Sequence, residues 1–96
     1  MTLCLVIHDV PADDSPAALA FSEALFHISP EHWPVTPGAA LLATEVSPGY
    51  LRDHLLQKLR RAGAEPGLLL VTRLSADLTW HGLPAEGADW LRERLE

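Results

Sequence analysis

An α+β sandwich is the fold class this sequence predicts, and three observations predict it. Four short apolar runs have the length of strands. Two longer segments carry apolar residues at helical spacing. Both of those open on Ser-Pro, at Ser15-Pro16 and Ser47-Pro48. Serine caps a helix start, and proline suits its first turn.

Residues 3–10, Leu-Cys-Leu-Val-Ile-His-Asp-Val, read as the first strand. The run is too short for a helix and stops at Pro11. Residues 16–28 read as the first helix, with Ala18, Phe21, Leu25 and Ile28 on one face and Ser29-Pro30 at its end. Residues 33–36 read as a short edge strand among Pro30, Pro34 and Pro37, because proline has no N–H for a central ladder. Residues 39–46 read as the next strand. Their Ala and Leu also suit a helix, so short length and the closing Ser47-Pro48 decide.

The second helix covers about 48–62. Leu51, Leu55, Leu59 and Ala62 make its inner stripe; Arg52, Lys58, Arg60 and Arg61 ride outside. Gly63 is the natural terminator. Residues 68–74 form the last core strand. Trp80-His81-Gly82-Leu83 reads as a short extra strand, and Pro84 to Leu95 ends in a short helix bearing Trp90, Leu91 and Leu95. The order β-α-β-β-α-β is the split βαβ pattern of a ferredoxin-like two-layer sandwich, an antiparallel four-stranded sheet with two helices on one face. One domain accounts for residues 1–96, with a core at 3–74 and an appendage at 75–96.

Composition narrows the function classes. Ninety-six residues with 48% hydrophobic side chains allow one core, and few aromatics make that core aliphatic. The single Cys4 lies in an apolar run, so no disulfide forms within one chain, which fits a reducing, cytoplasmic setting. No basic leader precedes an apolar stretch, and no run reaches the ~20 residues a bilayer requires, so no membrane partner is expected. A net charge of −6 argues against free-standing, nonspecific nucleic-acid binding, which needs a basic footprint.

Assembly follows from the strands. A sheet covered on one face should alternate apolar and polar residues. Here Leu3, Leu5 and Ile7 oppose Cys4, Val6 and His8, and Leu68 and Leu70 oppose Leu69 and Val71. Both faces are apolar. The expectation is a homodimer through the helix-free face, with Leu69, Val71 and Trp80 at the interface. The alternative is that the C-terminal helix folds over that face.

The opening strand ending His8-Asp9-Val10-Pro11, with Asp13-Asp14 behind it, resembles the start of the small CRISPR-associated adaptation subunit family (a type-two Cas protein). The stretches Val46-Ser47-Pro48-Gly49-Tyr50-Leu51-Arg52-Asp53-His54-Leu55 and Leu70-Val71-Thr72-Arg73-Leu74, then Thr79-Trp80-His81-Gly82-Leu83, resemble its SinR-like branch. The likeness covers about residues 3 to 83. It implies a dimeric ferredoxin-like protein of prokaryotic nucleic-acid defence. It also implies a metal-dependent nuclease centred on Asp9, one from each subunit, around Mg²⁺ or Mn²⁺. His8 stands where that family usually has an aromatic residue, and the basic lateral surface of the family is missing.

Each candidate residue also has a plainer reading. Asp9 is a metal ligand that activates water, since hard divalent cations take oxygen ligands, or it caps the loop ahead of the first helix. His8 is a general base beside Asp9, or a half-buried hydrogen-bonding residue. Arg52, Arg60 and Arg61 are candidate phosphate contacts, or a solvated helix face. Cys4 is packing, not a nucleophile. Two functions therefore stand side by side: the nuclease, and a non-catalytic dimeric scaffold or antitoxin-like module that binds another protein. A small-ligand sensor using the dimer cleft is a third.

Overall fold

The computed structural model describes residues 2–65 and 67–95. It is a small α+β structure with a four-stranded antiparallel sheet and three helices. The strands are β1 (Thr2–His8), β2 (His32–Thr36), β3 (Ala39–Thr44) and β4 (Leu69–Leu74); the helices are α1 (Pro16–Ile28), α2 (Pro48–Arg61) and α3 (Ala85–Leu95). Sheet order is β2-β3-β1-β4, and every neighbouring pair is antiparallel. β1 and β2 therefore run the same way with β3 between them.

The two Ser-Pro starts form as local chemistry dictates. Ser15 Oγ accepts from the Ala18 amide and Ser47 Oγ from the Tyr50 amide, with Pro16 and Pro48 opening each helix. Gly63 follows α2 at φ 79°, a left-handed position that favours glycine. Its amide donates to the Arg60 carbonyl. Ser29, buried at the end of α1, hydrogen-bonds the carbonyls of Glu31 and Ala43 and so ties the helix end to β3.

Side chains of alternate parity build two cores, one on each sheet face. Cys4, Val6, Ala40 and Leu42 meet Phe21, Ala24 and Leu25 of α1 and Leu51, Leu55 and Leu59 of α2. On the other face, Leu3, Leu41 and Ala43 meet Leu91 of α3, with Trp33, Trp80 and Trp90 packed around them. Both strand faces are apolar because helices lie on both.

Three expectations are corrected here. The C-terminal helix folds over the face that a partner was expected to cover. Leu69 and Val71, placed above at a dimer interface, pack instead against the core under α1 and α2. An alternation apolar in both phases does not say which phase meets the helices. Finally, Trp80-His81-Gly82-Leu83 is not a strand. Leu78, Trp80 and Leu83 cross the second sheet face. Trp80 thus anchors the tail on its own sheet, under the Arg92 guanidinium at 5.6 Å from its ring.

α3 is held at close quarters. A Cβ on Gly87 would run into the indole of Trp33, so the helix backbone lies directly against β2. At the far end, Arg94 pairs with Glu31 at 2.7 Å, donates to the Trp90 carbonyl at 3.1 Å, and lies over the Trp90 ring at 4.2 Å.

Candidate functional site

Coverage of the second face is incomplete. Across β4, β1 and β3, the rows Leu74–Leu3–Ala43 and Thr72–Leu5–Leu41 supply residues packed under α3 and the segment before it. The next row, Leu70–Ile7–Ala39, reaches beyond that cover. Ile7 is 37% exposed, Leu70 49%, and Leu68, one step further on the same face, 53%. Three large aliphatic side chains thus form a strip in water beside the strand ends.

Asp9 stands beside that strip, where β1 ends. It follows the last residue of β1, is exposed, and shares a small hollow with Leu68 and Gly67 and, from the α1 and α2 side, with Ala17, Leu59 and Ala64. Its carboxylate lies so close to Gly67 that any side chain there would displace it. Among the described residues no hydrogen bond to the Asp9 carboxylate occurs, so the loop-capping reading gains no support. Nor, among the described residues, do three or more His, Cys, Asp or Glu side chains gather where they could hold a metal ion.

His8, next to Asp9, points the other way. Strand alternation turns it to the α1 side, where its ring lies 4.4 Å from that of Phe21. The Val10 amide donates to its Nδ1 at 3.1 Å. That bond makes Nδ1 the acceptor and puts the ring proton on Nε2 when the imidazole is neutral. Burial pushes the His8 pKa down, against the opposing pull of the Asp9 charge. The neutral ring therefore shows its surroundings a donor. Its one basic lone pair, on Nδ1, which a general base or metal ligand would use, is already engaged by the Val10 amide.

The candidate phosphate contacts lie elsewhere. Arg52, Arg60 and Arg61 are exposed on α2. Arg52 pairs with Asp53 at 2.9 Å. Arg60 and Arg61 flank an open depression with Asp53, Leu56 and Gln57. The structure does not bring them to Asp9, since they ride on the outer face of α2. Cys4 is wholly buried, and burial raises its thiol pKa, with Arg73 opposing; it is a packing residue.

Sequence reasoning missed one feature, a cleft of about 200 Å³ on the α1 side of the sheet. It runs between α1 and the β2–β3 hairpin, from His8 and Asp13 at one end to His32 at the other. Its origin is small side chains facing each other: Ala18 and Ser22 on α1 and Ala40 on β3. Those residues lie about twenty positions apart, so no local pattern announces the gap. Comparison of this chain with protein-family models, curated proteins and solved structures gave no match.

Proposed function

We propose that this chain is a homodimeric, ferredoxin-like protein of the CRISPR-adaptation-subunit/SinR-like type, serving prokaryotic nucleic-acid defence as a non-catalytic scaffold that binds another protein. The strand order, with β1 and β2 parallel around β3, supports the ferredoxin-like reading. The observation that carries the dimer is the strip of Ile7, Leu68 and Leu70. Contiguous aliphatic surface beside strand ends is what self-association removes from water. The net charge of −6 supports protein over nucleic acid as the further partner.

Asp9 favours a second reading, the metal-dependent nuclease. It is an exposed carboxylate without a hydrogen bond among the described residues, at the edge of the strip. A two-fold through that strip would set two Asp9 carboxylates near each other, as oxygen ligands for Mg²⁺ or Mn²⁺. Paired carboxylates repel when no cation is bound, and a cation relieves them.

One set of measurements separates these readings. Sedimentation at micromolar concentration should give twice 10.5 kDa. Leu70→Asp should return the monomer with its helices intact, because Leu70 lies outside both cores. A wild-type monomer at high concentration would sink the dimer. Thermal melts of wild type and Asp9→Asn, each with and without Mn²⁺, then decide the chemistry. The scaffold reading expects no metal response. The nuclease reading expects Mn²⁺ to raise the wild-type melting temperature, and Asp9→Asn to stabilise the metal-free protein and abolish the response.

A further inference from the structure

We propose that the cleft between α1 and the β2–β3 hairpin is a binding site for a small, elongated, non-anionic organic molecule, with a hydrogen-bond acceptor at its His8 end and a donor at its His32 end. This site lies within one chain, on the opposite sheet face from the aliphatic strip, and does not depend on the proposed dimer.

The walls are stiff. Pro11 and Pro37 restrict the two connections beside the cleft, and Pro34 fixes the backbone of β2 between them. The His8 amide donates to the Gly38 carbonyl at 3.0 Å, tying the hairpin turn to the end of β1. One side is buried Phe21 and Leu25 of α1, and the floor is the start of β3, where Ala40 turns its small side chain to this face. The volume of about 200 Å³ suits a body the size of one substituted aromatic ring rather than a nucleotide or a peptide.

The polarity follows from two imidazoles whose other nitrogens are taken. At one end, Val10 occupies His8 Nδ1, which leaves Nε2–H as a donor. At the other end, His32 Nδ1 lies 2.8 Å from the Ser29 carbonyl. A carbonyl accepts only, so His32 Nδ1 carries the proton and Nε2 keeps a lone pair. The register shows that the two rings cannot serve one atom. His32 aligns through Leu42 with Cys4, four residues and two strands from His8. Four residues are about 13 Å along a strand. The cleft is therefore elongated, with a donor at one end and an acceptor at the other.

Charge selects against anions. Asp13 lines the His8 end, and hydrogen bonding from Ser15, its side chain first and its amide second, holds the carboxyl below the usual carboxylate range and so ionised. An anionic head would be repelled by that charge, whereas a neutral or cationic molecule would not.

Three probes with one ring and one hydroxyl test this: 4-hydroxybenzamide, 4-hydroxybenzoate and 4-hydroxybenzylamine, titrated to millimolar concentration into the ¹⁵N-labelled full chain and followed by NMR. The expected result is saturable shifts with the amide and the amine but not with the carboxylate, at backbone amides of Ser22, Thr36 and Ala40 and at the His8 ring nitrogens. His8→Phe, which keeps a ring but removes the donor, should weaken the amide probe roughly five-fold. Ser22→Leu, on the exposed wall, should fill the gap and abolish the shifts while the rest of the spectrum stays folded. Absence of saturable shifts with the amide would overturn the proposal. So would a response to the carboxylate equal to that of the amide, or amide binding indifferent to both substitutions.

Discussion

Gly87 and Gly49 offer the same substitution in two helices with opposite expected signs. Glycine inside a helix costs up to about 1 kcal/mol relative to alanine, so Gly→Ala should stabilise wherever a methyl fits. At Gly49, in the first turn of α2, an added Cβ meets nothing within 4 Å. Gly49→Ala should therefore gain a few tenths to about 1 kcal/mol. At Gly87 the same atom would overlap the indole of Trp33, with Cζ3 at 2.7 Å and two further ring atoms closer still. Carbon atoms prefer about 3.5–4.0 Å, so either the ring or α3 must retreat by roughly 1 Å. The indole cannot swing away freely, since it belongs to the core beneath α3. Overpacking of this kind costs about 1–3 kcal/mol, and the propensity gain offsets up to about 1 of that. Gly87→Ala should thus be destabilising by up to about 2 kcal/mol. Urea unfolding followed by far-ultraviolet circular dichroism measures both. A domain of this size shifts by about 4–8 °C per kcal/mol, so melting temperatures should diverge visibly. If both variants were stabilised equally, α3 would not lie against Trp33, and the account of the second core would fail.

Leu55→Ala should cost about 2–5 kcal/mol, because Leu55 is wholly buried among α1, α2 and the sheet; Arg60→Ala, on the exposed face of α2, should stay within about 0.5 kcal/mol. Equal urea midpoints for that pair would put the phase of α2 in error. Ser29→Ala should lose about 1–3 kcal/mol, since it removes the hydroxyl that serves two backbone carbonyls at a buried site. Mild acid should weaken the fold. Burial lowers the pKa of His54, with Lys58 and His27 adding to the effect against the Ala24 carbonyl, and burial lowers that of His8. The unfolded chain then binds more protons than the native one as pH falls below about 6.5, so this contribution is present above that pH and is lost below it. His54→Gln should flatten the dependence of melting temperature on pH between about 7 and 5; an unchanged slope would remove His54 as a cause.

Much of the fold was legible because its signals are local. Ser15-Pro16 and Ser47-Pro48 start α1 and α2 at the expected residues. The inner stripe Leu51, Leu55, Leu59 is the buried face of α2, and Pro34 does lie in an edge strand. What was illegible depends on pairs far apart in the chain. Leu69 and Val71 look the same as Leu68 and Leu70 until the two sheet faces are told apart. Trp80 reads as strand or anchor until α3 is seen to cover the sheet. At the candidate site, the exposure of Asp9 follows from its place at a strand end. The direction of His8 does not, since it rests on Phe21 of α1. Gly67 and Gly87 look like loop and helix glycines, and only Asp9 and Trp33 across the fold explain why no side chain is there.

The split into two cores has an optical consequence. All three tryptophans of the chain, Trp33, Trp80 and Trp90, belong to the layer beneath α3, and the layer beneath α1 and α2 contains none. Indole emission from this protein is therefore a report on one half of it. A red shift on heating marks release of the C-terminal layer, while the larger core and the cleft on its side are silent in that channel. Coincidence of emission with circular dichroism through an unfolding transition would mean that the sheet transmits loss of one core to the other. Separation of the two curves would mean that α3 leaves first and exposes the whole second face of a still-folded sheet.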